Sequence, residues 1–236
     1  MREFLAALLF FISIAVPGQP YKRWFTDQYL AGCPGCAVGM VEPAGCNDSI
    51  AVYQAFLSGC TNYVKQKRAM VSIDKNDWGT ESGTVSIEDN YTETIDSVQL
   101  ADALQKLVIL DTLFSKNFIA VLVGSNACSV DEFLKEKVSV IGSELAVSRT
   151  EKVLEFTGMS PRYAYERSSW DEAETRARRE AAFYLDAKVS SIGRLGDMVF
   201  DERRKQKTRV ELRNVFVLKR RIDKTANLFY VTIRLE

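Results

Sequence analysis

Two cysteines three positions apart, Cys33 and Cys36, form the spacing in this chain that most resembles a reactive site. A Cys-x-x-Cys pair can be a redox dithiol or half of a zinc site. Reactive pairs usually begin a helix, because the helix N-terminus lowers the pKa of the thiol. The residues after Cys36, AVGMVEPAG, instead predict a strand followed by a loop. Structural disulfides or inert thiols are therefore the favoured interpretation, and a periplasmic thiol-disulfide oxidoreductase using Cys33 and Cys36 is the alternative.

The other cysteines leave the pairing open. Exported proteins normally hold cysteines as disulfides, and the spacing allows a Cys33–Cys36 or a Cys46–Cys60 bridge. The chain has five cysteines, so at least one thiol is left over. A zinc site would need two further ligands at short spacing, which Cys46, Cys60 and Cys128 do not supply. We therefore expect no metal.

Cys33 also ends the segment LAGC, which has the residue pattern of a bacterial lipoprotein acylation site. The acylated cysteine should directly follow the apolar core of a signal peptide. Cys33 lies seventeen residues beyond Val16, after the charged residues Lys22, Arg23 and Asp27. Lipid attachment at Cys33 is therefore not expected.

The chain contains no histidine. Catalytic triads with histidine, zinc sites with imidazole ligands and covalent haem attachment through Cys-x-x-Cys-His are therefore excluded. No glycine-rich phosphate loop and no carboxylates at metal-ligand spacing occur either. We expect a protein that is not an enzyme and that has no cofactor.

The N-terminus indicates export. Arg2 precedes an apolar stretch from Phe4 to Val16, which is followed by small residues, as in a secretory signal peptide. The stretch is too short for a membrane span, which needs about 20 apolar residues. We expect residues 1–18 to be the signal peptide, residues 19–35 to form an N-terminal segment, and the mature chain to have no integral membrane span.

Charge is balanced overall and uneven locally. The formal net charge is zero, and no basic stripe is interleaved with aromatic residues, so nucleic acid is not an expected partner. Residues 1–150 carry 12 basic and 17 acidic side chains, whereas residues 151–236 carry 19 and 14. The two parts have opposite net charge, which could favour docking between them or head-to-tail stacking of copies.

An internal similarity predicts the fold. CAVGMVEP, residues 36–43, resembles EFTGMSPR, residues 155–162, and each reads as a strand with a Gly-Met pair. A helical pattern follows each strand, at residues 48–67 and 169–192, with small residues on one face. Two strand-like runs follow each helix, at 106–114 and 118–123 in the first copy and at 209–221 and 227–236 in the second. We therefore predict an α+β fold of two repeated small domains, each with a helix packed on an antiparallel sheet in the order β-α-β-β.

This pattern gives the domain boundaries. The first repeat spans residues 36–123 and includes a polar insertion at 70–98 that could form an extra hairpin. Residues 124–152 form a linker with a helix near 130–137, and the second repeat spans residues 153–236.

The second repeat resembles a known family. Gly158, the helix with Ala173, Ala177 and Ala181, and the final strand FYVTIRL are similar to the LPP-twenty type of bacterial surface lipoprotein, which includes the flagellar lipoprotein FlgP. The resemblance covers residues 153–236, and more weakly 36–123. It implies a compact periplasmic or outer-membrane domain that assembles into multimers or binds envelope partners, in some members as part of the flagellar apparatus, without catalysis.

These observations favour a structural or binding protein of the cell envelope, located in the periplasm, either free there or associated with the outer membrane. We expect it to bind an envelope partner, or to form a homo-oligomer through edge strands. Two basic clusters near strand ends are candidate partner-binding residues, namely Arg203, Arg204 and Lys205 in one and Lys219, Arg220 and Arg221 in the other.

Overall fold

The computed structural model describes residues 21–28, 35–43, 48–80, 83–128, 130, 132–138, 154–193 and 203–236. The predicted signal peptide, residues 1–18, and two of the candidate cysteines, Cys33 and Cys46, lie outside these ranges. Within them the chain forms helices and antiparallel sheets, so the predicted α+β class is confirmed.

The elements follow one another in a regular order. The part before residue 130 forms β1 (Tyr21–Lys22), α1 (Arg23–Thr26), β2 (Ala37–Val41), α2 (Asp48–Lys67), β3 (Arg68–Thr80), β4 (Gly83–Thr94), α3 (Ser97–Lys106), β5 (Leu107–Phe114) and β6 (Ile119–Ser125). The remainder forms α4 (Glu132–Lys135), β7 (Lys137–Val138), β8 (Leu154–Pro161), α5 (Glu166–Gly193), β9 (Arg203–Arg213), β10 (Val215–Asp223) and β11 (Leu228–Leu235).

Two three-stranded sheets have the same connectivity. In β2-β6-β5 and in β8-β11-β10, the strand before the long helix pairs antiparallel with the last strand, which pairs with the one preceding it. The helices α2 and α5 pack on these sheets. This shared order agrees with the β-α-β-β pattern of the sequence, while the duplication itself stays a prediction.

Each long helix lies unusually close to its first strand at a glycine. A Cβ at Gly39 would lie 2.0 Å from the carbonyl oxygen of Ala55, and a Cβ at Gly158 would lie 1.9 Å from that of Ala173. Such distances are far inside van der Waals contact, so only glycine allows this approach. The small side chains on the helices, such as the fully buried Ala177, complete the close packing.

The third sheet, with strand order β4-β3-β9, was not predicted. The predicted insertion forms the hairpin β3–β4, and β9 pairs antiparallel with β3 along its whole length, from Arg68 opposite Arg213 to Trp78 opposite Arg203. The predicted single strand 209–221 is therefore wrong. It breaks at Asn214, whose φ of 51° lies in the left-handed region that asparagine tolerates, and its two parts join different sheets.

The core is divided by the sheet β2-β6-β5. One face, with Ala37, Val121 and Val123, packs against α2, whereas the opposite face, with Val38 and Leu122, joins a larger cluster. That larger cluster contains the residues that α5 buries on β11, including Trp170 and Val231. The two predicted repeats thus share the larger core cluster and the sheet β4-β3-β9.

Candidate interaction surfaces

The N-terminal segment Tyr21–Gln28 is buried between the two parts of the chain. Trp24 and Phe25 are fully buried. The ring of Phe25 lies 5.4 Å from that of Phe118, just before β6, and 5.7 Å from that of Trp170 on α5. Aromatic pairs at such separations stabilise beyond their buried area. No sequence pattern indicated a role for this segment, which contacts both predicted repeats.

Charged and polar contacts fix the segment at both ends. Lys22 donates to both carboxylate oxygens of Asp111 on β5, at 2.7 and 2.8 Å, and the indole nitrogen of Trp24 donates to the same carboxylate at 2.9 Å. Burial alone would raise the pKa of Asp111, but these hydrogen bonds hold it below its usual range. Tyr21 donates a hydrogen bond to the buried carboxylate of Glu166 at the start of α5.

One predicted basic cluster faces inward. Arg220 is buried, donates to the backbone oxygen of Phe25 and to the side chain of Gln28, both at 3.1 Å, and pairs with Glu174 at 3.5 Å. Arg221 pairs with Asp27 at 2.8 Å. These two arginines hold the N-terminal segment. The burial of Arg220 contradicts its predicted role in binding an external partner, whereas the side chain of Arg221 is 32% exposed and its role stays a prediction. Of this cluster, Lys219 is exposed.

A β-bulge explains why the sequence was misleading. In β10, Val217 lies opposite Ile233 and Lys219 lies opposite Thr232, so Leu218 is an extra residue. The bulge shifts the alternation of the strand by one position. Arg220 therefore lies on the buried side, where regular alternation would have placed Lys219.

The second basic cluster lies elsewhere. Arg203, Arg204 and Lys205 begin β9 and lie opposite Trp78, Asp77 and Asn76 of β3. Because β9 and β10 belong to different sheets, the structure does not bring the two clusters into one patch.

The cysteines do not form the predicted bridges. Cys36 and Cys60 are free and buried, and they lie on opposite sides of the sheet β2-β6-β5, in different core clusters. The Cys33–Cys36 and Cys46–Cys60 pairings are therefore wrong, because the side chains of Cys36 and Cys60 each point into an apolar core. Cys128 is disulfide-bonded, with a partner outside the described residues.

Burial also disfavours the thiolate form of both cysteines. It raises the pKa of Cys36 and of Cys60 to about 11 each. We expect both thiols to react with iodoacetamide at pH 7 roughly 100-fold more slowly in the native protein than in urea, because a shift of about two pKa units lowers the thiolate fraction by that factor. Timed alkylation followed by peptide mass analysis measures both rates. Native Cys36 reacting as fast as free cysteine would instead favour the oxidoreductase alternative.

A surface cleft of about 860 Å³ lies where α2, α3 and the break between β9 and β10 meet. Four cationic side chains line it, Lys67, Arg68, Lys106 and Arg213. Arg68 and Arg213 both pair with Glu211, Lys106 pairs with Asp102 at 2.6 Å, and Lys67 lies over the ring of Tyr63. Each of these cations therefore already has a partner within the protein, so the cleft is not a candidate site for an anionic ligand.

Four of the sheet edges are covered by side chains or by the N-terminal segment. On β2, Asn62 of α2 donates to the backbone oxygen of Val38 at 2.8 Å. On β5, Lys22 donates to that of Thr112 at 2.9 Å, and on β8, Arg176 of α5 donates to that of Met159 at 3.0 Å. The strand β10 contacts α1. Such contacts oppose the addition of another strand.

The edges of the third sheet differ. Within the described residues, β4 and β9 each pair with no strand other than β3. The helix α5 contacts β9, where Thr208 donates a hydrogen bond to Asp186 at 3.1 Å. An uncovered strand edge of this length can accept a strand from another chain. These two edges are the candidate interaction surface of the protein.

Comparisons with known proteins do not identify the chain. A scan against family models, a search of curated proteins and a search of solved structures each found no match. The resemblance to the LPP-twenty type therefore stays an expectation. Among the described residues, no helix is both long and apolar enough to cross a membrane, and no cluster of His, Cys, Asp or Glu could hold a metal ion.

Proposed function

We propose that this chain is an exported, non-enzymatic protein of the bacterial cell envelope that acts as a structural or assembly module and associates through sheet edges. The observation that carries this proposal is the sheet β4-β3-β9, whose two outer strands of 12 and 11 residues pair with β3 and with no second strand within the described residues. Long unpaired edges favour pairing with a second chain, whereas the other sheets have covered edges.

The arrangement of buried polar groups supports a structural role. Asp111, Glu166, Arg220 and Glu93 are each engaged by hydrogen bonds or ion pairs that join distant parts of the chain. A catalytic group is instead expected to point toward a cleft with a perturbed pKa suited to its task. These residues hold the two repeats together.

The proposed location in the periplasm, where association with the outer membrane is one option, has separate support. Residues 1–18 have the pattern of a secretory signal peptide, and Cys128 is disulfide-bonded, as is typical of exported proteins. The resemblance of residues 153–236 to the LPP-twenty type agrees with an envelope protein, of which flagellar accessory proteins are one example.

Two measurements test this proposal. The full-length chain is expressed in a Gram-negative host, recovered from the periplasmic fraction, and its intact mass is determined. We expect a chain beginning at Gln19 without added lipid. Sedimentation velocity over a concentration series should then show species larger than the monomer. A protein retained in the cytoplasm with its first 18 residues would overturn the proposed location, and a monomer at every concentration would overturn the assembly role.

A further inference from the structure

We propose that copies of this chain associate head to tail, with β4 of one copy pairing with β9 of the next. This inference rests on the proposed function and names its surface and its partner, which is a second copy of the same chain.

The two outer strands carry opposite charge. β4, Gly83–Thr94, contains three carboxylates, Glu88, Asp89 and Glu93, and no basic residue. β9, Arg203–Arg213, contains six basic residues and one carboxylate, Glu211. One side of the sheet is therefore acidic and the other side is basic.

The structure describes the side chains of five of these charged residues, Glu93, Lys207, Arg209, Glu211 and Arg213. Glu93 is turned inward to Arg178, and Glu211 pairs with Arg68 and Arg213. On β9, Arg209 is exposed, and Lys207 is exposed while lying 3.9 Å from Asp74. These two cations are available to a neighbouring copy.

This charge distribution discriminates between symmetries. A two-fold contact would pair β4 with β4 or β9 with β9, and like charges opposite each other are destabilising. Pairing β4 with β9 brings opposite charges together, which is favourable. The interface is therefore heterologous, and such contacts generate rings or open filaments.

The strand directions agree with this arrangement. Both β4 and β9 are antiparallel to β3, so they are parallel to each other. A neighbouring copy in the same orientation thus presents its β9 parallel to β4, continuing the sheet. The strands have 12 and 11 residues, and 11 residues give a paired length of about 36 Å at ~3.3 Å per residue.

Reciprocal charge reversal tests the pairing. The first variant, Glu88→Lys with Asp89→Lys, makes β4 basic like β9. The second, Lys207→Glu with Arg209→Glu, gives the centre of β9 three carboxylates in alternate positions, at 207, 209 and 211, and so makes it repel the acidic β4. We expect each variant alone to lose the large species in sedimentation velocity. An equimolar mixture should regain them, because each variant then offers the edge that the other lacks. Circular dichroism checks that both variants are folded.

A matched control separates edge pairing from general attraction between oppositely charged proteins. Lys219→Glu with Lys224→Glu changes the net charge as much as the second variant does, at exposed positions of β10 and the following turn. This control should assemble alone like the wild type, because the charges of β4 and β9 are unchanged. We also expect the wild-type assembly to weaken in 1 M NaCl, where the Debye length is about 3 Å.

The outcomes of the two proposals are distinguishable. A monomeric wild type overturns the assembly role and this inference together. A wild-type oligomer that persists in both folded variants, or a mixture that stays monomeric, overturns the pairing of β4 with β9 and leaves the assembly role standing.

Discussion

Replacing Gly158 by alanine is expected to lower the free energy of unfolding by about 3 kcal/mol or more. The new Cβ would lie 1.9 Å from the backbone oxygen of Ala173 and 2.3 Å from the backbone nitrogen of Ala177. Both obstacles are main-chain atoms of α5, so no side-chain rotation can relieve the overlap. The helix must move away from β8, which opens the contacts of the buried Ala173 and Ala177.

Thermal and urea unfolding followed by circular dichroism measure this effect. For a chain of this length, about 3 kcal/mol corresponds to a fall in the melting temperature of roughly 6–12 °C. Gly39→Ala should behave similarly, because its Cβ would meet the backbone of α2 at Ala55 and Gly59. Gly35→Ala is the matched control, since its Cβ would meet only a ring carbon of Tyr63 at 3.9 Å. A loss below 1 kcal/mol at Gly158 would contradict this seating of the helix.

Local patterns predicted the elements that depend on local signals. The helix predicted at 48–67 is observed at those bounds, and the alternation of Phe229, Val231 and Ile233 identified β11 correctly. The helix predicted at 169–192 begins three residues earlier, at Glu166, because its first turn is set by the tertiary contacts of that carboxylate with Tyr21 and Asn117. Hydrophobic periodicity predicts which face of a helix or strand is buried, but it does not predict contacts with residues far away in the sequence.

Other elements were missed although a signal was present. α3, Ser97–Lys106, overlaps the end of the predicted insertion, yet Asp96 is a good N-cap and accepts a hydrogen bond from the backbone of Val98 at 2.8 Å. The linker helix predicted near 130–137 is shorter, Glu132–Lys135, and the following residues pair with the N-terminal segment as β7. In this region the capping residue Asp96 predicts the start of α3 better than hydrophobic periodicity does.

The candidate surface could be predicted only in part. The sequence showed strands with exposed edges and an acidic first part followed by a basic second part. It gave no indication that β3 and β9, more than 120 residues apart, share a sheet, because strand pairing at that separation leaves no local pattern. The inward orientation of Arg220 depends on the bulge at Leu218, which alternation cannot reveal.

Removing the carboxylate of Glu93 is expected to destabilise the fold by about 3–5 kcal/mol. Glu93 on β4 accepts hydrogen bonds from Arg178 of α5 and pairs with Lys65 of α2 at 3.3 Å. The side chains of Glu93 and Arg178 are only 6% and 3% exposed. Glu93→Gln therefore leaves a buried guanidinium without its counter-charge, which is much more costly than the loss of a surface pair.

The same contact predicts a pH dependence. Burial alone would raise the pKa of Glu93, but Arg178 and Lys65 outweigh it and hold the pKa below its usual range. Because the folded pKa is depressed, the ionised carboxylate contributes stability above about pH 4.5, and this contribution is lost as the pH falls through the folded pKa. Urea unfolding at pH 7 and in steps down to pH 3 should show this decline in the wild type. The decline should be smaller in Glu93→Gln, which lacks the carboxylate. It should not vanish there, because the pKa of Asp111 is also lowered and its contribution is lost in the same direction.

A control and a double variant make the measurement specific. Asp102→Asn removes a carboxylate from an exposed pair with Lys106 and should change the free energy of unfolding far less. Combining Glu93→Gln with Arg178→Met removes both buried charges, so much of the loss should be recovered, because the penalty arises from the unpaired guanidinium. If Glu93→Gln unfolds at the same urea concentration as Asp102→Asn, or if the double variant recovers nothing, then the ion pair does not join β4 to α5 in the way that its geometry indicates.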